Sequence, residues 1–143
     1  MKMSKIGSHI YAKDGLKAIE FYKKAFDLEG EGKPWLDEEG ILIHQNLLRN
    51  DELFLSISDT KHLPNNIFIE RLTACICPAM LFCVYFSNED DLRKTFNTLS
   101  ENAELCRKIE FEGNDIVCEV IDQFSVFWHL RVPENQNASF IPR

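Results

Sequence analysis

The sequence has no apolar run approaching the ~18 residues a helix needs to cross a membrane, so no spanning segment is expected. Cations are scarce as well: 16 Lys and Arg stand against 23 Asp and Glu, for a net charge of −7. Duplex nucleic acid is bound through clustered Lys and Arg that displace counterions. The nearest thing to such a cluster, Lys23-Lys24, falls in an amphipathic helical pattern and reads as a solvated face. Nucleic acid is therefore not an expected partner, and an anionic membrane surface is disfavoured on the same ground. Also missing are a glycine-rich phosphate loop, a serine nucleophile elbow and a His-Glu-x-x-His helix.

Cysteine is present but unpaired in pattern. The five are Cys75, Cys77, Cys83, Cys106 and Cys118, an odd number with no Cys-x-x-Cys spacing. Residues 1–5 lead into polar positions and not into an apolar export stretch. A reducing cytoplasm with free, mostly buried thiols is the expectation. The sequon Asn137-Ala138-Ser139 then carries no meaning. Cys75 and Cys77 lie close enough to bind metal or oxidise, but buried or incidental thiols are the favoured reading.

What the chain does have is core material. Of 143 residues, 45% are apolar and eleven are Phe, enough for one domain without staples. The run 5–12 alternates as a strand, with Ile6, Ser8 and Ile10 on one face and Gly7, His9 and Tyr11 on the other. Asp14 offers an N-cap, and Leu16, Ile19, Tyr22 (or Phe21) and Phe26 follow at helical spacing. The helix should stop within 27–30. Two apolar runs, 41–48 and 52–58, flank Arg49-Asn50-Asp51 as a hairpin, with a weaker strand signal at 33–37.

Residues 60–78 break the pattern and read as a connector, with a short helix or strand within 67–72. The order then repeats. Residues 80–86 form a strand, and Ser87-Asn88-Glu89-Asp90 has the form of a capping box. Leu92, Phe96 and Leu99 make an apolar stripe. Strands at 104–111, 115–121 and 125–132 complete the series, and a polar tail follows Pro133. Cys83 is expected towards the helix. The predicted fold is α+β: two βαβββ modules forming a curved mixed sheet around a cleft, with helices on the outer face. A single domain spans 1–143, with module one about 1–59, connector about 60–78, module two about 79–133 and tail 134–143.

Three stretches carry a family resemblance. Ala18-Ile19-Glu20-Phe21-Tyr22-Lys23-Lys24-Ala25-Phe26 resembles the A-x-x-FY-x-x-x-F helix of the vicinal-oxygen-chelate superfamily, the glyoxalase, bleomycin-resistance and dioxygenase proteins. Ile43-His44 through Leu53-Phe54-Leu55-Ser56-Ile57-Ser58-Asp59 is similar to the hairpin of its PhnB-like branch. Asp122-Gln123-Phe124-Ser125-Val126-Phe127-Trp128-His129-Leu130 is similar to that branch's D-x-F-G-V-x-W-x-L ending, with Ser125 where Gly is usual. If that turn needs positive φ, Ser125 will be strained or the turn altered.

The resemblance implies a divalent ion held at four positions, two per module. The first falls at Gly7, or at His9 if the strand slips by two residues. The second falls near His44 or Asn46. The third lands around 79–81, where no side chain binds metal, and the fourth on His129. His44 and His129 are thus the metal-ligand candidates, for Ni, Zn, Fe or Mn, in an incomplete set. The competing reading makes His9, His44 and His129 polar lining of a small-molecule pocket, or partly buried and hydrogen-bonded. Tyr11 and Phe127 share the face of His9 and His129 and either stack on a ligand or pack. His62 is expected in solvent, and Trp128 beneath a helix. The ligand-binding candidates are His9, Tyr11, His44, Asn46, Phe127 and His129.

For function, the resemblance implies a small-molecule-binding protein that, as an enzyme, would be a metal-dependent lyase, isomerase or dioxygenase, with His44 or His129 as ligand or base. The alternative is non-catalytic sequestration of a cationic drug or metabolite, as in bleomycin-resistance proteins. A regulatory or structural dimer is a third reading. A homodimer is expected by resemblance, because open sheet edges invite pairing.

Overall fold

The computed structural model describes residues 1–63 and 79–134. The predicted element within 67–72, and Cys75 and Cys77, lie outside the described residues. The chain divides into two compact units, Met1–Ile76 and Cys77–Arg143. The fold is α+β, with one mixed sheet in each unit; the second unit runs in the expected βαβββ order and the first adds one short strand to it.

The first unit runs β1 (His9–Ala12), α1 (Gly15–Phe26), β2 (Glu29–Gly30), β3 (Trp35–Leu36), β4 (Leu42–Arg49) and β5 (Glu52–Asp59), ending in a 3-10 turn at Thr60–His62. The sheet order is β1-β5-β4-β2, with β3 also on β4. β1 pairs parallel with β5 and the other pairs are antiparallel. Strand β1 is shorter than the predicted 5–12, so Gly7 lies ahead of it.

Helix α1 forms where expected because Asp14 accepts the Lys17 amide at 3.1 Å and Ala18, Ile19, Tyr22, Ala25 and Phe26 fall on one stripe. It ends at Asp27, which turns left-handed at φ +55°. Both Phe21 and Tyr22 are buried, while Leu16 is exposed and leaves the predicted stripe. The stripe covers Ile10, Ala12, Leu55 and Ile57, and alternation along β1 turns His9 and Tyr11 to the opposite face. The β4–β5 hairpin closes through Asn50 and Asp51, both at positive φ (51° and 64°), the pattern of a type I′ turn. At the end of β5, buried Asp59 accepts from the Gly15 amide at 2.9 Å and the Lys61 amide at 3.0 Å. One carboxylate thereby joins strand end, helix start and turn.

The second unit runs β6 (Phe82–Tyr85), α2 (Glu89–Leu99), β7 (Leu105–Glu112), β8 (Asp115–Ile121) and β9 (Phe127–Val132). Its sheet order is β6-β9-β8-β7, again with the first strand parallel to the last. The helix cap falls one residue later than the predicted box. Asn88, and not Ser87, accepts the Asp91 amide at 2.8 Å, because Asn88 is the last extended residue (φ −151°, ψ 160°). Leu92, Thr95 and Leu99 face the sheet. Trp128, Leu130 and Val132 are buried, alternating with half-buried Phe127, His129 and Arg131.

The turn before β9 is built around Asp122, which is fully buried. Its Oδ1 accepts from the amides of Phe124 (2.8 Å) and Val126 (3.1 Å), and its Oδ2 from Trp128 Nε1 (2.8 Å). Ser125 does take positive φ, at 66°. The turn is kept, and Ser125 carries the strain that Gly would avoid.

Candidate functional site

In the first unit, sheet register builds a polar face opposite α1. His9 lies opposite Ser56, and Tyr11 opposite Ser58, across the parallel β1–β5 pair. Asn46 lies opposite Ser56 across β4–β5. Side chains of paired residues share a face, so residues separated by tens of positions meet. His9 Nε2 lies 2.8 Å from Ser58 Oγ, and its ring is 5.5 Å from that of His44 and 4.9 Å from that of Tyr11.

Asn46 is the centre of this face. Its Oδ1 accepts from Ser56 Oγ at 2.6 Å and lies 2.7 Å from His44 Nε2. Its Nδ2 donates to Glu31 Oε2 at 2.8 Å. With an oxygen opposite, His44 must carry its proton on Nε2. Ser56 and Ser58 are buried and thus fix the floor of the face. Burial lowers the His9 pKa, and the neighbouring His44 lowers it further, which favours the neutral ring. The arrangement offers an imidazole that can take up a proton, flanked by hydroxyl and amide groups.

Sequence reasoning found His9, Tyr11, His44 and Asn46, and the structure brings these four together. It missed Ser56 and Ser58, although their alternation along β5 was a usable signal. It also missed Trp35, 64% exposed and paired with His44 across β3–β4. Register alone reveals that neighbour. His62, expected in solvent, is partly buried and lies 2.9 Å from Asp37 Oδ2, because the 3-10 turn carries it back to the loop before β4. Backbone amides of Ile41 and Glu39, with His62, hold Asp37 below the usual carboxylate range.

Phe127 and His129 lie in the second unit. Cys83, His129, Glu119 and Arg107 face each other in sequence across β6, β9, β8 and β7. Cys83 is exposed on this side, contrary to the expected helix-facing placement. Register pairs Phe82 with Trp128 instead, their rings 5.1 Å apart. Of the described thiols only Cys118 is buried, and burial pushes it up to about 12. Cys106 is exposed, so the expected mostly buried set is not found among the described residues.

His129 is held from both sides. Its Nε2 accepts from Arg131 Nε at 3.3 Å, and its Nδ1 lies 3.7 Å from Glu119 Oε2. Arg107 engages Glu119 Oε1 at 2.7 Å and also pairs with Glu110. Arg131 reaches Asp115 Oδ2 at 2.6 Å and Glu112 Oε1 at 2.9 Å.

A shallow cavity of about 240 Å³ opens by the start of α1, lined by Lys13, Asp14, Ile41, Asp59 and Lys61 among others. It contains none of the candidate residues.

The divalent ion implied by the resemblance needs donors gathered at one point. Among the described residues, no group of three or more His, Cys, Asp or Glu side chains is arranged to hold a metal. His44 and His129 belong to different units, and each has Nε2 engaged within its own unit. A metal would need the His129 lone pair that the Arg131 guanidinium already occupies, and would meet a positive charge there. The residues present do not fit the ion.

Solved structures of the same fold are numerous, though no family model and no curated protein matches the sequence. A Pseudomonas aeruginosa protein of crystal structure shares the fold with a TM-score of 0.69 at 13% identity, over 93% of this chain and 100% of that one. A PhnB protein from Bacillus cereus gives 0.66 at 19%, over 91% and 100%. The fosfomycin resistance protein FosX of Listeria monocytogenes, complexed with Mn(II) and sulfate, gives 0.59 at 11%, over 93% and 94%. PhnB-like, FosX and glyoxalase-type structures are vicinal-oxygen-chelate proteins, so the expected fold is the fold found. At these identities the likeness is one of fold. No helix among the described residues is long and apolar enough to cross a membrane.

Proposed function

We propose that the chain is a glyoxalase-like protein of the PhnB-like branch that binds a small molecule on the polar face of its first unit. The supporting observation is the connected set of His9, Ser58, His44, Asn46, Ser56 and Glu31, which gathers donors and acceptors beside Tyr11 and exposed Trp35. A few placed polar groups beside aromatic surface are what small-molecule recognition uses. In a lyase or isomerase reading, neutral His9 is the group suited to accept a proton. The sequestration reading draws on Glu31 at this face and on the net charge of −7, which favour a cationic ligand.

Amide and imidazole NMR during titration with a small-molecule library tests the site. Binders are expected to shift His9, His44 and Asn46 together, and Asn46→Ala to abolish those shifts. Binders that map elsewhere would refute the assignment. A melting-temperature rise with bleomycin would favour sequestration, and no rise at saturation would remove it. The proposed homodimer predicts twice the chain mass in solution scattering at micromolar concentration, whereas a monomer mass would refute it.

A further inference from the structure

Three nitrogens of one guanidinium converge on three groups in the second unit. Arg131 Nε donates to His129 Nε2 (3.3 Å), Nη1 to Asp115 Oδ2 (2.6 Å) and Nη2 to Glu112 Oε1 (2.9 Å). An imidazole nitrogen and two carboxylate oxygens are donor types that first-row divalent ions take. Here a side chain of the same sheet satisfies all three, and its fork geometry supplies one N–H to each. We propose that Arg131 is the resident cation of this face, standing in for the metal ion that the superfamily resemblance gives to His129. The protein therefore binds no divalent ion through His129.

Consequences follow from proton placement. Because His129 Nε2 accepts from Arg131, the neutral ring carries its proton on Nδ1, on the side of Glu119. The Glu119 carboxylate is itself held by Arg107, so it does not swing to meet a metal without breaking a second ion pair. The residue alternation of β9 makes this local: Arg131 follows His129 by two positions and must share its face. This inference is independent of ligand binding on the first unit.

The test measures Zn²⁺ and Mn²⁺ binding by equilibrium dialysis on the full chain, with ¹⁵N spectra of the imidazoles. Wild type should show no binding that His129→Ala removes, and His129 should be protonated at Nδ1. His129, Asp115 and Glu112 are not arranged as a metal site around Arg131, but without the guanidinium they are released to close on an ion. Arg131→Gln should therefore gain saturable Zn²⁺ binding at least about tenfold tighter than wild type, worth about 1.4 kcal/mol. Adding His129→Ala to that variant should abolish the gain. Metal bound by wild type and lost in His129→Ala would overturn the proposal, as would a folded Arg131→Gln that binds no tighter. Should that variant fail to fold, wild type decides: a proton on Nε2 of His129, or metal bound and lost in His129→Ala, overturns the proposal, and a proton on Nδ1 with no such metal binding upholds it.

Discussion

The two units share a strand order and differ in what they place on the face away from the helix. In the first unit that face carries two imidazoles, two buried hydroxyls and a carboxamide, with a single carboxylate at Glu31. In the second it is ionic, with Arg107 and Arg131 set among Glu110, Glu112, Asp115 and Glu119. The helix-covered faces are constrained by packing, since apolar stripe and strand must interlock. The opposite faces carry no such constraint, so their chemistry is free to diverge. The first face joins its groups through hydrogen bonds among side chains of several types, whereas the second joins its own through ion pairs.

Breaking the buried aspartates gives the largest effects and sets the units against each other. Asp122→Ala removes two carboxylate oxygens that accept three hydrogen bonds at a fully buried site, the Trp128 indole N–H among the donors. It is expected to cost about 3 kcal/mol in denaturant unfolding. Asp59→Ala loses two backbone partners and should cost about 2 kcal/mol. An equal or reversed pair of values would break the correspondence between satisfied donors and stability.

Asn46→Ala should cost about 1 kcal/mol, because it leaves Ser56 Oγ without its acceptor and frees His44. Loss of the paired His9 and His44 ring signals, with no change in His129, would show that the damage stays in the first unit.

The pH dependence separates the units by range. The folded His9 pKa lies below its ordinary 6.5, so the unfolded chain binds the proton more tightly. Its stabilising contribution is complete above 6.5 and is lost as pH falls through the lowered folded value. His9→Gln should flatten that part of a melting-temperature profile. In the second unit, the Arg131 hydrogen bond lowers Glu112, and the Glu134 amide, with Arg131, lowers Asp115. Their contributions persist above the usual carboxylate values and disappear only in stronger acid. A profile unchanged in His9→Gln would contradict the first assignment.

The smallest effect is a gain. Ser125→Gly relieves a left-handed residue and should stabilise by about 1 kcal/mol or less, offset by the lost contact with Glu104.

Much of this was legible in the sequence for a physical reason. Period-two alternation set Gly7, His9 and Tyr11 against Ile6, Ser8 and Ile10, and Arg49-Asn50-Asp51 between two apolar runs marked the hairpin. Helical spacing located α1 and α2 to within a residue or two. The Asn88 cap was missed because Ser87 and Asn88 are both competent caps, and only the backbone decides which stays extended. Cys83 was misplaced because alternation gives two faces without saying which one the helix covers. The partners of His129 divide in the same way. Arg131 was readable from parity, two positions along β9, whereas Glu119 depended on cross-strand register that local pattern does not contain. Trp35 fell inside the weaker strand signal at 33–37, but its place beside His44 likewise depends on cross-strand register.

The contrast between the units can be read from one spectrum. The chain has four histidines, so imidazole NMR during small-molecule titration resolves each face separately. Binding should move His9 and His44 in concert while His129 stays fixed against Arg131. A ligand that shifts His129 and leaves His9 and His44 untouched would contradict the account.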